Sequence, residues 1–251
     1  MLKQLVKGNE ASLLGNELVD AHCHLDMFSD PLVVQKDAQF GGVGLIITAG
    51  GSRASSLAAI KFSDGEHVFA VIGIDPQGIA KDSDFVEEIE KLVKSDRKIV
   101  GIGEIGLDYK VGPEKELQKK VFEKQIEIAK SIDIPIVVHS RGAMDDVIRI
   151  VKDHGVRKAM FHFFEGSEGQ ARELAALGYL ISIPPQESSR RKRVINALGI
   201  NSISVETDSP VVGKSPLDVI KAVEWISVIK GIPFNEASMR ITENVKKLFS
   251  L

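Results

Sequence analysis

His22 and His24 stand one residue apart at the end of a short apolar run, and period-two alternation along an extended chain turns both imidazoles to one face, about 6.6 Å apart. Two neutral imidazoles so placed converge on one ion, whereas Cys23 between them points the other way and reads as a small core residue. A lone His-x-His is as often a packing pair as a metal ligand. Four further residues change that weighing, because Glu104, His139, His162 and Asp208 each stand at or just beyond the end of another Val- and Ile-rich run. Imidazole and carboxylate ligands suit zinc, manganese or iron, and a carboxylate-rich portion admits magnesium. Taken singly, Glu104 or Asp208 reads as a buried acid paired with a base. Lys and Arg are scarce near both, and carboxylates buried among neutral imidazoles without a cation are costly. Six ligands exceed one tetrahedral shell and point to two ions, with a carboxylate such as Glu104 bridging them.

The runs that must position these residues are 17–21, 43–48, 67–72, 98–102, 134–138, 158–161, 179–183 and 203–205, eight strand candidates separated by amphipathic segments. The clearest helix is 114–131, where Leu117, Val121, Phe122, Ile126 and Ala129 fall near one face. Asp84 before 85–93, with Glu87 three residues on, has N-cap and capping-box chemistry. Continuous apolar strands belong to a parallel sheet covered by helices. Eight βα units in 251 residues predict an α/β fold, a single TIM (β/α)8 barrel spanning 1–251, whose strand ends meet in one mouth. An open doubly wound sheet is the runner-up, but Gly101, Gly103 and Gly106 match its phosphate-binding turn only by spacing, and 107–113 opens no helix.

Composition agrees with a compact chain: 43% hydrophobic and 27% charged residues, 9 prolines, and 32 basic against 35 acidic residues for a net charge of −3. No global positive field recruits a polyanion, so nucleic acid must be held locally. One cysteine excludes an internal disulfide. Residues 1–17 lack a continuous apolar h-region, and no stretch approaches roughly 18 apolar residues, so the expectation is a cytoplasmic protein without a membrane span.

Other residues read as structural. His67 opens the third run, at the opposite end of a barrel, and His154 before Gly155 complements a helix end. The run from Arg190 to Arg193 is the one concentrated basic patch, read first as solvated helix surface and second as a phosphate contact. Tyr109, Phe163 and Phe164 lie beside the expected ligands, where they either pack or stack on a base.

The strings Asp20 to Asp26, Gly103 to Tyr109, Val138 to Arg141, His162 to Gly166 and Glu206 to Pro210, with the terminal Thr242 to Val245, resemble those of the TatD family of metal-dependent deoxyribonucleases, within the amidohydrolase-like TIM barrels. The resemblance covers nearly the whole chain after Glu17. It implies that His22, His24 and Asp208 hold one divalent ion, that His139 and His162 hold the other, and that Glu104 bridges, with magnesium, manganese or zinc as the metal. It implies as substrate a DNA end or single strand, and one related branch removes D-amino acids from transfer RNA. On the expected mechanism Asp208 holds a water and accepts its proton, Glu104 fixes the ion spacing, and Arg141 clamps a phosphate oxygen beside Tyr109 and Phe163. Two departures stand out. Gly73-Ile74-Asp75-Pro76 replaces a usual Gly-x-His-Pro, and residues 211–215 shorten a loop that normally follows the last string. Residues 1–16 are an extension without an assigned role. An ester or amide hydrolase on the same centre, such as an aminoacyl transfer RNA deacylase, is the alternative. A non-catalytic barrel stabilised by its metals is the third reading.

Overall fold

In the computed structural model, which describes residues 18–251, eight parallel strands form one sheet in the order β1 to β8: Leu18–Cys23, Val43–Ala49, Val68–Ile72, Ile99–Asp108, Ile136–Arg141, Ala159–Phe161, Leu180–Ile183 and Ile203–Val205. The helices α1 to α10 are Pro31–Phe40, Arg53–Phe62, Ile79–Asp82, Val86–Ser95, Lys115–Ser131, Met144–Asp153, Glu168–Ala176, Ser189–Ala197, Val219–Lys230 and Phe234–Phe249. This is the TIM-like barrel that the run spacing predicts. The extension at 1–16 lies outside the described residues.

β1 and β8 meet past their paired ends, where Asp208 N donates to His22 O (2.9 Å) and His24 N donates to Ser209 O (2.8 Å). Asp20, fully buried in β1, accepts the Thr207 amide at 2.9 Å on one oxygen and shares a hydrogen bond with the Thr207 hydroxyl at 2.5 Å through the other. Burial pushes its carboxyl up to about 8, so it serves this seam largely as a neutral acid. Around the barrel, strands with apolar side chains on both faces pack Val19, Ile47, Val71, Ile102, Val137 and Ile181 out of water, as a sheet covered by helices requires.

Several expected boundaries differ: β1 runs on to Cys23 and β5 to Arg141, so His22 and His139 lie inside strands. β4 runs to Asp108 instead of stopping at Ile102, so Glu104 lies inside a strand. Gly106 allows this: its φ is +147°, and a Cβ there would stand 2.0 Å from the carbonyl oxygen of His139 across the β4–β5 pair. Asp84 does not cap a helix. It sits in a 3-10 turn over Ser83–Phe85 and its carboxylate pairs with Arg53 at 2.9 Å, an interaction with a partner 31 residues away that overrides the local cap.

Candidate metal centre

β1, β4, β5, β6 and β8 deliver the expected ligands to one mouth. His22 is the penultimate residue of β1, His24 follows the strand, and both turn Nε2 toward Glu104 and Asp208. Asp208 reaches them from a left-handed backbone conformation, φ +48°, which a short polar residue tolerates. His139 comes from within β5 and His162 from just past β6.

Glu104 stands at the centre, with its two oxygens facing different histidines. Oε1 lies 2.6 Å from His139 Nδ1 and 3.0 Å from His162 Nε2, while Oε2 lies 3.5 Å from His22 Nε2 and 3.9 Å from His24 Nε2. Asp208 Oδ1 is 3.3 Å from His24 Nε2 and 3.9 Å from His22 Nε2. Two sets of three donor atoms, from His22, His24 and Asp208 and from His22, Glu104 and His162, each lie within 4.8 Å of one another.

The outward nitrogens of His24 and His139 are hydrogen-bonded, and that of His162 lies near a carboxylate without a bond of good geometry. His24 Nδ1 meets Ala49 O at 3.1 Å, His139 Nε2 meets Asp108 Oδ2 at 3.3 Å, and His162 Nδ1 lies 3.5 Å from Glu206 Oε1. Such outer partners fix which nitrogen faces inward, a recurring arrangement in metal sites. Glu206 also accepts the Phe163 amide at 2.5 Å. Neither nitrogen of His22 has a hydrogen bond of good geometry, although the ring is fully buried.

The electrostatics express one demand. Burial alone would push the Glu104 carboxyl up, yet His162, His139 and His22 around it hold it well below the usual range. Asp208 is lowered likewise by His24, against the effect of burial. Burial would lower His24 and His139, but Asp208 and Glu104 raise the first to about 9, and Asp108 and Glu104 raise the second to about 9. His22 is lowered by burial and by His162 beside it. The bare side chains meet their need for positive charge with protons. A divalent cation meets the same need while releasing them, and the buried, unpartnered donors of His22 fit that ligand chemistry.

The expected substrate contacts sit at the rim. Arg141 is exposed, 4.0 Å from Asp108 Oδ2. Tyr109 donates its hydroxyl to Asp146 and carries Lys115 over its ring. Phe163, with φ +43°, lies under the guanidinium of Arg191 at 4.7 Å, and Phe164 is packed into the core. Arg191 is thus not the solvated helix surface expected of its run: only 8% exposed, it donates to Gln186 O. Arg190 and Arg193 fit the bland reading, bonding Glu165 O and the Glu168 carboxylate. Asp75 accepts the Gly78 amide at 2.6 Å, and burial together with Glu104 raises its carboxyl to about 6. The sequence reading assigned no role to Asp20, Asp108 or Glu206. Their own places in the strings Asp20 to Asp26, Gly103 to Tyr109 and Glu206 to Pro210 were the one signal for them.

The description "TatD related DNase" belongs to a family that matches residues 19–250. The chain is 32% identical to human "Deoxyribonuclease TATDN3" over 94% of this chain and 95% of that protein. It is 30% identical to the "Uncharacterized metal-dependent hydrolase MJ1582" of Methanocaldococcus jannaschii over 92% of this chain and 96% of that one. The crystal structure of YjjV, a TatD homolog from Escherichia coli, superposes with a TM-score of 0.88 at 26% identity, covering 94% of this chain and 98% of that one.

Proposed function

The chain belongs to the TatD-related DNase family of metal-dependent hydrolases, and from that premise we propose that it hydrolyses phosphodiester bonds at DNA ends or in single strands with two divalent ions. His22, His24 and Asp208 would hold one ion and His139 and His162 the other, with Glu104 placed between the two sets. The observation that carries this reading is the division of the Glu104 carboxylate, Oε1 toward His139 and His162 and Oε2 toward His22 and His24. Magnesium, manganese or zinc suits the mixed imidazole and carboxylate set.

Bound divalent ions polarise a phosphoryl oxygen and lower the pKa of water. Asp208, at the rim and held low by His24, orients the attacking water and accepts its proton. Glu104, anchored inside β4, fixes the distance across the centre. Arg141, 55% exposed along its side chain, contacts a nonbridging phosphate oxygen, and Tyr109 and Phe163 contact the bases. A single buried cysteine supports action in the reducing cytoplasm. No helix among the described residues is long and apolar enough to cross a membrane.

The test is nucleotide release from an end-labelled single strand with Mg²⁺, Mn²⁺ or Zn²⁺, comparing the native chain with Asp208→Ala and Glu104→Ala. Metal-dependent release that either substitution lowers at least 100-fold is expected. Full turnover and metal content in Glu104→Ala would defeat the mechanism. Asp75 favours a second reading, because a carboxylate beside Glu104 disfavours an approaching phosphate. A metal-loaded chain that leaves DNA intact and cleaves aminoacyl esters or amides selects that alternative.

A further inference from the structure

We propose that Asp108 is a positioning residue, whose carboxylate fixes His139 in the tautomer that presents a bare Nδ1 to the centre. The role rests on the metal-centre reading above. Its evidence is the way β4 grips the ring of His139 from both sides.

The β4–β5 register pairs Gly106 with His139 and Asp108 with Arg141, in unbroken alternation from Ile105 onward. Gly106 and Asp108 therefore share one face of β4, with Ile105 and Leu107 buried on the other, and the contact of Glu104 with His139 brings its carboxylate to that same side. Gly106 leaves a slot between two acids. Glu104 Oε1 meets His139 Nδ1 at 2.6 Å on one side, and Asp108 Oδ2 meets Nε2 at 3.3 Å on the other.

The carboxylate of Asp108 is not free to turn. Its Oδ1 accepts the amides of Lys110 (2.8 Å) and Val111 (3.1 Å), leaving Oδ2 for the ring. Gln118, itself buried, accepts the Asp108 amide at 2.8 Å and donates to the Asp108 carbonyl at 2.9 Å. Asp108 is 1% exposed, so water does not compete for Oδ2. An ionised carboxylate only accepts hydrogen bonds, and a neutral imidazole carries one N–H. Asp108 claims that proton at Nε2, and the lone pair of Nδ1 is left facing Glu104 and the centre.

Asp108→Asn tests this with little change of shape. The amide oxygen can keep the Lys110 and Val111 bonds, while the NH₂ group faces Nε2 as a donor where an acceptor stood. His139 must then carry its proton on Nδ1, pointing at Glu104. Zinc titration should show binding at the His139 and His162 position weakened about 10- to 100-fold, with the position of His22, His24 and Asp208 unchanged. Long-range ¹H–¹⁵N spectra supply a readout that needs no metal. Above the pH at which metal-free His139 loses its charge, the His139 proton should sit on Nε2 in the native chain and on Nδ1 in the variant. Asp108→Ala removes the turn bonds as well, so its melting temperature should fall while that of Asp108→Asn stays close to native. A variant Asn chain that keeps both the Nε2 proton and native zinc affinity overturns the proposal. A native chain that binds no zinc overturns the metal-centre reading instead, and the metal-free tautomer still decides the role of Asp108.

Discussion

Asp20 holds Thr207 by both of its carboxylate oxygens, across a sequence separation of 187 residues, and that grip seats His22 against Asp208. Asp20→Ala strips buried partners from the Thr207 amide and hydroxyl and should cost about 3 kcal/mol. Asp20→Asn resembles the neutral acid and should cost under about 1 kcal/mol. Urea denaturation of both variants, with metal content measured in parallel, checks the pair. Equal loss in the two would refute the assignment of a neutral, bond-sharing Asp20.

Gly106 leaves no room for a side chain beside His139, and its backbone conformation is one that L-residues rarely adopt. Gly106→Ala should lower stability by about 3 kcal/mol or more, a drop of roughly 10 °C in melting temperature for a chain of this size. Thermal unfolding followed by circular dichroism measures it. A shift of less than about 2 °C would show that β4 and β5 separate freely there.

Acid stability should depend on Asp146 at the rim. Arg149 and the Tyr109 hydroxyl hold its carboxyl down to about 2, below the unfolded value of 3.8. A depressed acid contributes stability above its unfolded pKa and loses it as pH falls through the folded one, so the window is roughly pH 4 to 2. The side chain is 31% exposed, and solvent screening reduces the effect to on the order of 1 kcal/mol. Denaturation of Asp146→Asn at pH 5, 4, 3 and 2 should show a shallower loss than the native chain, and identical curves would remove Asp146 from the account.

Chelation should uncover the charge demand of the centre. Withdrawing divalent ions returns protons to His24 and His139, both raised to about 9 on the bare side chains. Adding Zn²⁺ to chelated protein near pH 7.5 should release protons and raise the melting temperature, with about 2.7 kcal/mol gained when free ion is 100 times its Kd. Calorimetry in buffers of different ionisation enthalpy measures the protons. Binding with no release would contradict imidazoles as ligands.

The convergence of His22, Glu104, His139, His162 and Asp208 on one mouth was legible because ends of parallel strands meet in a barrel and each of these residues stands late in, or just after, an apolar run. The full length of β4 was not: Gly103-Glu104-Ile105-Gly106 interrupts the apolar run and imitates a turn, and the pairing with β5 that keeps it extended is a long-range contact. Asp20, Asp108 and Glu206 are ordinary acids until burial and partners are known. Arg191 shows the same limit from the other side, since a basic run on a helix gives no sign that one member turns inward over Phe163.

The seam at which Asp208 bonds His22, and Ser209 bonds His24, also sets the order in which this protein becomes chemically competent. Two of the six candidate ligands, His22 and His24, come from the end of β1 and the closing carboxylate, Asp208, from beyond β8, so a nascent chain halted anywhere before Asp208 carries histidines with no finished pocket to serve. Hydrolytic power therefore arrives late and all at once, after every intervening strand has taken its place.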